Sequence, residues 1–291
     1  MNCFPYIHNN PCRLHNEVVD FVNYVSPTPE EHQLRLWAVE RIRRVVNSLW
    51  PSGELKVFGS FTTKLYLPHS DLDLVILTGE SGDKDVCLPH LNRLSRALLQ
   101  ARAVEDCTVI SKARIPIIKA VEGISKFHID ISFNQPNGAE AVEIIRRFQE
   151  EDWPVSLRSL LFLIKQFLYQ RGLNEVYSGG LGSYALINMI TSFLQLHPRI
   201  RSGQIDPAEN LGVLLMEFFE LYGKTFRYRT TGIKTSHPPG YFDKRNRSFF
   251  QPGRPFALCI EDPQDPTNDI SQGTFGIARI RSCFGGALDM L

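Results

Sequence analysis

Two aspartates, Asp71 and Asp73, stand two residues apart in a segment, DLDLVIL, that is typical of a short strand. Side chains two apart on a strand project from the same face, so both carboxylates point to one side while Leu72 and Leu74 enter the core. Carboxylates this close repel each other unless a cation lies between them, and Mg²⁺ prefers carboxylate and phosphate oxygens. The pattern predicts a metal-binding strand end. The alternative is a solvated turn that carries two surface acids.

Two further features support the metal-binding interpretation. Gly59 and Ser60 end a preceding strand, LKVF, where the missing side chain lets backbone N–H groups approach a phosphate. Asp130 lies in FHIDISF, whose alternation predicts another strand. Taken alone, Asp130 would be an acid on an edge strand that faces water. Three carboxylates on adjacent strands are what two-metal phosphoryl or nucleotidyl transfer needs.

The order of predicted elements indicates an α+β protein with two lobes. A mixed-sheet domain at 50–136 is inserted into a mainly helical one, formed by 1–49 and 137–291, and the active site lies in the cleft between them. We predict strands at 55–58, 71–77, 104–111, 115–121 and 126–133, and helices at 28–49, 88–101, 139–150, 156–171, 183–196 and 208–222.

Composition excludes several classes of protein. Hydrophobic residues make up 43% of the 291 residues and charged residues 22%, as in ordinary globular proteins. No apolar run reaches the ~18 residues of a membrane span, and the first residues lack a signal-peptide pattern. The six cysteines form no close C-x-x-C pair, so we expect free thiols in a reducing, intracellular compartment, and no zinc site.

The motifs resemble those of one family. FGSFTTKLYLPHSDLDLVI (58–76), HIDISFNQPNG (128–138), LFLIKQFLYQRGLNEVYSGGLGSYALINMI (161–190) and EDPQDPTNDIS (261–271) are similar to the Trf-type noncanonical poly(A) polymerases of the DNA polymerase β-like nucleotidyltransferase superfamily. The resemblance implies a small palm domain with a catalytic, metal-binding triad at Asp71, Asp73 and Asp130. It also implies Mg²⁺, or Mn²⁺, as cofactor and ATP as substrate.

The resemblance implies nucleotide contacts as well. Gly59 and Ser60 fall on the family's triphosphate-binding turn, Lys165 and Ser183 on its triphosphate contacts, and Tyr184 on the residue that stacks under the base. The glycine-rich loop before Ser183 opens a predicted helix, which is a natural anion site. A lysine extending along an apolar helix and an aromatic residue of the core are the alternatives for Lys165 and Tyr184.

Base choice is predicted from Asn268. Similar uridine-preferring enzymes carry a histidine there, whereas an asparagine offers both a donor and an acceptor to an adenine edge. We therefore expect addition of AMP to RNA 3′ ends. A terminal uridylyltransferase, a small-molecule nucleotidyltransferase and a catalytically weak RNA-binding scaffold are the alternatives, and a turn cap is the alternative role for residues 267–269.

Partners and location are less directly encoded. The segment 223–250 interleaves seven basic residues with aromatic ones, a composition that fits single-stranded RNA or a protein core equally well. The family resemblance implies a zinc-knuckle RNA-binding partner and a helicase, as in the TRAMP RNA-surveillance complex, and a nuclear location.

Overall fold

The computed structural model describes residues 10–113, 115–135, 137–149 and 153–291. Its chain forms two compact units. One covers 25–144, and the other joins the described residues up to Tyr24 to 145–291. The first unit therefore interrupts the chain of the second, as the inserted arrangement requires. The narrower domain bounds that we gave at 1–49, 50–136 and 137–291 stay predictions.

The unit at 25–144 is built on a five-stranded mixed sheet of order β1-β2-β5-β4-β3. Strands β2 and β5 are parallel, and every other neighbouring pair is antiparallel. Its elements are helix α2 (Pro29–Leu49), β1 (Glu54–Phe58), helix α3 (Gly59–Thr63), β2 (Leu72–Leu77), helix α4 (Lys84–Gln100), β3 (Val104–Ile110), β4 (Ile117–Glu122), β5 (His128–Phe133) and helix α5 (Asn137–Arg147). All five predicted strands are confirmed.

Helix α2 shows why the sequence predicts this unit well. The hydroxyl of Thr28 accepts a hydrogen bond from the Glu31 N–H at 3.2 Å and caps the helix, which begins at Pro29. Its apolar stripe (Ala38, Val39, Ile42 and Val46) is buried in one core with β2 and β5. The Thr28 cap thus determines where the helix begins, and the period of 3.6 residues determines which face it buries.

The second unit is mainly helical. It contains α1 (Asn10–Val25), α6 (Ser156–Tyr169), α7 (Ser183–Leu196), α8 (Pro198–Arg201), α9 (Leu211–Glu220), a hairpin of β6 (Thr231–Lys234) and β7 (Gly240–Asp243), and α10 (Ile277–Met290). Phe218, Phe219 and Phe284 pack together in its core at ring distances of 5.4–6.2 Å. Helices α1 and α10 were not predicted from the sequence.

Two expectations from composition can be compared with the fold. The helices of the described residues include none that is both long and apolar enough for a membrane span. Five cysteines of the described ranges (Cys12, Cys87, Cys107, Cys259 and Cys283) are free thiols. Cys3 lies outside the described residues.

Candidate active site

The three predicted carboxylates lie at one end of two neighbouring strands. Asp73 on β2 pairs in register with Asp130 on β5, and Asp71 directly precedes β2. Their side chains are partly exposed, whereas their neighbours Leu72, Leu74 and Ile129 are fully buried. Strand β5 has neighbours on both sides, so Asp130 is not on an edge strand. The parallel pairing thus places two like charges opposite each other, beside a third.

Gly59 approaches this acidic strand end closely. It adopts a φ of +68°, and a Cβ added there would lie 2.3 Å from Oδ2 of Asp73. Phe58 is the register partner of Asp73 on β1, so the chain turns from β1 into α3 directly beside that carboxylate. Only a glycine fits here, because both the backbone conformation and the contact exclude a side chain. Gly59 and Ser60 therefore lie beside Asp73, at the start of α3.

The donor set suits a hard divalent cation. Three carboxylates offer the oxygen ligands that Mg²⁺ prefers, and opposed like charges need a cation for compensation. Lys119 of β4 donates to Oδ2 of Asp130 at 3.0 Å, so a cationic group already lies on one of the three. Within the described ranges, no group of three His, Cys, Asp or Glu side chains stands at metal-binding spacing.

In the helical unit, Lys165 and Ser183 lie on two helices that pack against each other. Lys165 is half-buried on α6, and Ser183 is exposed as the first residue of α7. Gly182 precedes α7 in an extended conformation, and among the described residues no side chain caps the helix. The N–H groups of the first turn of a 14-residue helix therefore point outward, as at sites that bind anions.

Tyr184 and Asn268 meet on one carboxylate, that of Asp262. The Tyr184 hydroxyl donates to Asp262 Oδ1 at 3.5 Å, and the Asn268 Nδ2 amide donates to Asp262 Oδ2 at 2.9 Å. Burial, with the Asp262 carboxylate beside it, raises the pKa of the Tyr184 hydroxyl well above its usual value, so the phenol stays a donor. Asn188, one turn after Tyr184 on α7, donates to the Tyr184 carbonyl at 2.9 Å.

Sequence reasoning missed Asp262 as a site residue. It is buried, and its backbone N–H donates to the Asn268 carbonyl at 3.0 Å, which closes the loop on itself. Because Asn268 Nδ2 donates one of its two N–H hydrogens to Asp262, the carbonyl Oδ1 and the second N–H are the groups that Asn268 can offer to a ligand. The only signal in the sequence was an acid six residues before Asn268, which a turn explains equally well.

Part of the basic and aromatic segment 223–250 lies in the core or in ion pairs. Phe226, Tyr228 and Lys244 are buried, with the Lys244 ammonium donating to the Ala257 carbonyl at 2.6 Å. Two of its arginines pair with acids, Arg245 with Asp243 and Arg247 with Glu261. Phe226 and Tyr228 are therefore core rings that cannot stack on a base, whereas Tyr241 is exposed, and contact of this segment with RNA stays a prediction.

A pocket of about 480 Å³ lies elsewhere in the helical unit, lined by Lys244, Phe250, Phe256, Cys259 and Phe275 among others. None of the predicted site residues lines it. Burial raises the pKa of the Cys259 thiol to about 12, so this thiol stays protonated.

Two family models match the chain. The model described as the central palm domain of mitochondrial-like poly(A) RNA polymerase matches residues 14–150. The model described as Cid1 family poly A polymerase matches residues 210–268. Together they cover the acidic strand ends and the loop of Asn268.

Whole-chain similarities agree with the family models. Poly(A) RNA polymerase protein 2 of Saccharomyces cerevisiae is 47% identical over 94% of this chain and 47% of its own length. A Drosophila melanogaster poly(A) RNA polymerase protein, Trf4-2, whose name describes it as inactive, is 39% identical over 95% of this chain and 67% of its own. The solved polymerase core of TRAMP, an RNA surveillance complex, is 43% identical, with a TM-score of 0.88 over 99% of this chain and 91% of that one. The chain spans 36–47% of the length of the first five curated relatives that it matches.

Proposed function

The chain belongs to the Trf-type noncanonical poly(A) RNA polymerases, and from this premise we propose that it adds AMP from ATP to RNA 3′ ends without a template. The observation that carries the proposal is the register of Asp73 and Asp130 on neighbouring parallel strands, with Asp71 beside them. A relative whose name describes it as inactive means that membership alone does not decide activity. Three carboxylates at one strand end support an active enzyme rather than a scaffold.

Asp71, Asp73 and Asp130 would hold divalent metal, Mg²⁺ or Mn²⁺. When bound, two such ions stabilise the charge that develops on the attacking and leaving oxygens of phosphoryl transfer. Asp130 would also take the proton of the RNA 3′-hydroxyl, as a general base. The contact between Gly59 and Asp73 would place the backbone of Gly59 and Ser60 beside the triphosphate of the nucleotide.

The helical unit would supply the remaining nucleotide contacts. The first turn of α7, at Ser183, would bind phosphate oxygens through its N–H groups, and Lys165 would add a positive charge. Tyr184 would stack under the base, since Asp262 and Asn188 fix its hydroxyl and backbone.

Asn268 supports adenine over uracil. Its amide nitrogen donates one hydrogen to Asp262, and its carbonyl oxygen and second N–H would face the base. These two groups would pair with the donor and the acceptor of an adenine edge, and an asparagine leaves more room for a purine than the histidine of uridine-preferring enzymes. A uridylyltransferase is therefore the alternative that the next assay separates.

The direct test is an extension assay with a labelled oligo(A) primer, each of the four nucleoside triphosphates in turn, and Mg²⁺. We expect ladders of added residues with ATP and little product with UTP. Preference for UTP would make the chain a uridylyltransferase. The absence of product with every nucleotide, from folded protein, would favour the scaffold.

Asn268→His should shift base choice towards UTP. A histidine fills purine space and offers a ring N–H to a pyrimidine carbonyl. One good polar contact is worth about 1–3 kcal/mol, so the ATP:UTP ratio of kcat/KM should fall by about 5- to 150-fold. Asn246→His, an exposed position in the same unit, is the matched control. An unchanged ratio in Asn268→His would remove Asn268 as the selector.

Tyr184→Ala should raise the KM for ATP by roughly 10-fold, because stacking contributes about 1–3 kcal/mol per base. Tyr184→Phe keeps the ring and loses only the long hydrogen bond to Asp262, so its KM should stay within about 3-fold of the wild type. Steady-state kinetics at saturating primer measure both. Equal KM values for the wild type and the alanine variant would show that the ring does not touch the base.

We further propose that the chain acts in nuclear RNA surveillance, with a zinc-knuckle RNA-binding protein and a helicase as partners. The similarity to the polymerase core of TRAMP supports this proposal. Extension of a structured RNA should rise when a zinc-knuckle protein is added, and the same protein stripped of zinc should give no rise.

A further inference from the structure

Helix α2 carries an arginine whose side chain is fully buried in the sheet unit. The exposed fraction of the Arg35 side chain is 0%. Its Nε donates to Glu31 Oε1 at 3.1 Å, one turn earlier on the same helix. Taking a guanidinium out of water is costly unless its donors are satisfied, so its partners show what it does.

The other partners of Arg35 belong to the segment that leads into Asp71. Its Nη1 donates to the Ser70 carbonyl and its Nη2 to the Pro68 carbonyl, both at 2.8 Å. This turn is closed by the Leu67 N–H, which donates to the Ser70 hydroxyl at 3.0 Å. The planar guanidinium of Arg35, with its forked set of N–H donors, thus fixes the peptide unit directly before Asp71.

The plane of the same guanidinium is held between two rings. Its central carbon lies 4.6 Å from the ring centre of Tyr66 and 4.3 Å from that of Phe127. Phe127 directly precedes β5, three residues before Asp130. Arg35 therefore contacts both chain segments that lead into the strands bearing the catalytic carboxylates.

The sheet itself holds the three carboxylates unequally. Asp73 and Asp130 are paired within the ladder of β2 and β5, whose register begins at Leu72. Asp71 lies outside that ladder, before its first paired residue. The carbonyl that Arg35 Nη1 holds belongs to Ser70, the residue adjacent to Asp71.

We infer that Arg35 is a positioning residue for Asp71: its fork on the Ser70 and Pro68 carbonyls and its stacking on Phe127 set the spacing between Asp71 and Asp130. This inference rests on the proposed function, because the spacing matters for binding the metal that the reaction uses. A lysine cannot replace the arginine, since an ammonium lacks the planar fork that reaches two carbonyls and a carboxylate together.

The test compares Arg35→Lys and Arg35→Met with Arg43→Met. Arg43 lies on the same helix and also donates to a backbone carbonyl, that of Leu55 at 2.8 Å, besides pairing with Glu40 at 3.1 Å. The carbonyl that Arg43 binds belongs to β1 and not to the turn before Asp71. Arg43→Met is therefore a control for losing an arginine of α2 that binds a backbone carbonyl. Each variant is measured for its melting temperature, its kcat and KM for ATP, and its affinity for Mn²⁺ by the EPR signal of the free ion.

We expect both Arg35 variants to lose kcat by at least about 10-fold with little change in KM, and to bind Mn²⁺ at least about 10-fold more weakly. Arg43→Met should keep wild-type kcat and Mn²⁺ affinity. A folded Arg35 variant with wild-type kcat and Mn²⁺ affinity would overturn the inference. It would also be overturned if the losses of kcat and Mn²⁺ affinity were no larger than the fraction of unfolded protein in the sample. If Arg35→Met fails to fold, Arg35→Lys decides. If the wild type transfers no nucleotide, the proposed function fails, and the Mn²⁺ titration still decides the role of Arg35.

Discussion

Asp73→Asn is expected to reduce the rate of nucleotide transfer by about 10³-fold or more, because metal-bound carboxylates supply several kcal/mol of transition-state stabilisation. The fold should survive, since the substitution keeps the shape of a partly exposed side chain. Without Mg²⁺ the variant should melt at the wild-type temperature or slightly above it. The reason is that it removes one of two like charges paired across β2 and β5.

The measurement is single-turnover extension of an oligo(A) primer, with thermal melting of the same samples. Asp71→Asn and Asp130→Asn should behave alike, and EDTA should abolish activity in the wild type. Asp106→Asn is the matched control, because Asp106 is an exposed acid on β3 of the same sheet. A folded Asp73→Asn protein with more than about a tenth of the wild-type rate would show that this carboxylate holds no essential metal.

Gly59→Ala should lower kcat by about 10²- to 10³-fold, although it adds only one methyl group. The new Cβ would lie 2.3 Å from Asp73 Oδ2, so the carboxylate must move by about an ångström. Displacements of that size at a reacting centre cost about 10²-fold, and the backbone beside the triphosphate moves as well. The left-handed φ of +68° adds a loss of stability of about 1–2 kcal/mol.

Gly79→Ala is the control that separates the effect of the clash with Asp73 from the effect of the left-handed backbone conformation. Gly79 has a φ of +79° and nothing within 4 Å of an added Cβ, so it carries the same conformational penalty without the clash. Both variants should lose similar stability by urea denaturation, and only Gly59→Ala should lose activity. Equal activity in the two would mean that Asp73 tolerates the displacement.

Local patterns explain what the sequence predicted well. The 3.6-residue period and the Thr28 cap of α2, and the alternation along β2 and β5, depend on neighbours within a few residues. The two-residue spacing of Asp71 and Asp73 is a pattern of the same local kind, and their common face stays a prediction. Such local patterns predict the structure well because the face that they make apolar is also the face that the fold buries.

Helix α10 and the segment 223–250 show where local reasoning fails. The helix contains Gly285 and Gly286, which lower helix propensity, yet a Cβ on Gly223 would lie 2.5 Å from the Gly285 nitrogen. The close approach of the two backbones therefore requires a glycine at position 223, while a Cβ on Gly285 would make only ordinary contacts. Likewise, the mix of basic and aromatic residues in 223–250 does not reveal which rings are core, and only the fold shows that Phe226 and Tyr228 are buried.

The sequence by itself suggested the chemistry that we propose for this protein: three carboxylates, a glycine turn and an asparagine predicted to face the base, each readable from residues close together in the chain. Only the tertiary structure decided that β5 lies beside β2, that Asp262 joins Tyr184 to Asn268, and that Arg35 is buried against Ser70. The Arg35–Ser70 and Tyr184–Asp262 contacts join residues 35 and 78 positions apart, the pairing of β2 with β5 depends on strand order, and no local period encodes them. An arginine on a helix or an acid in a turn normally faces water, so its function appears only when the fold supplies its partner.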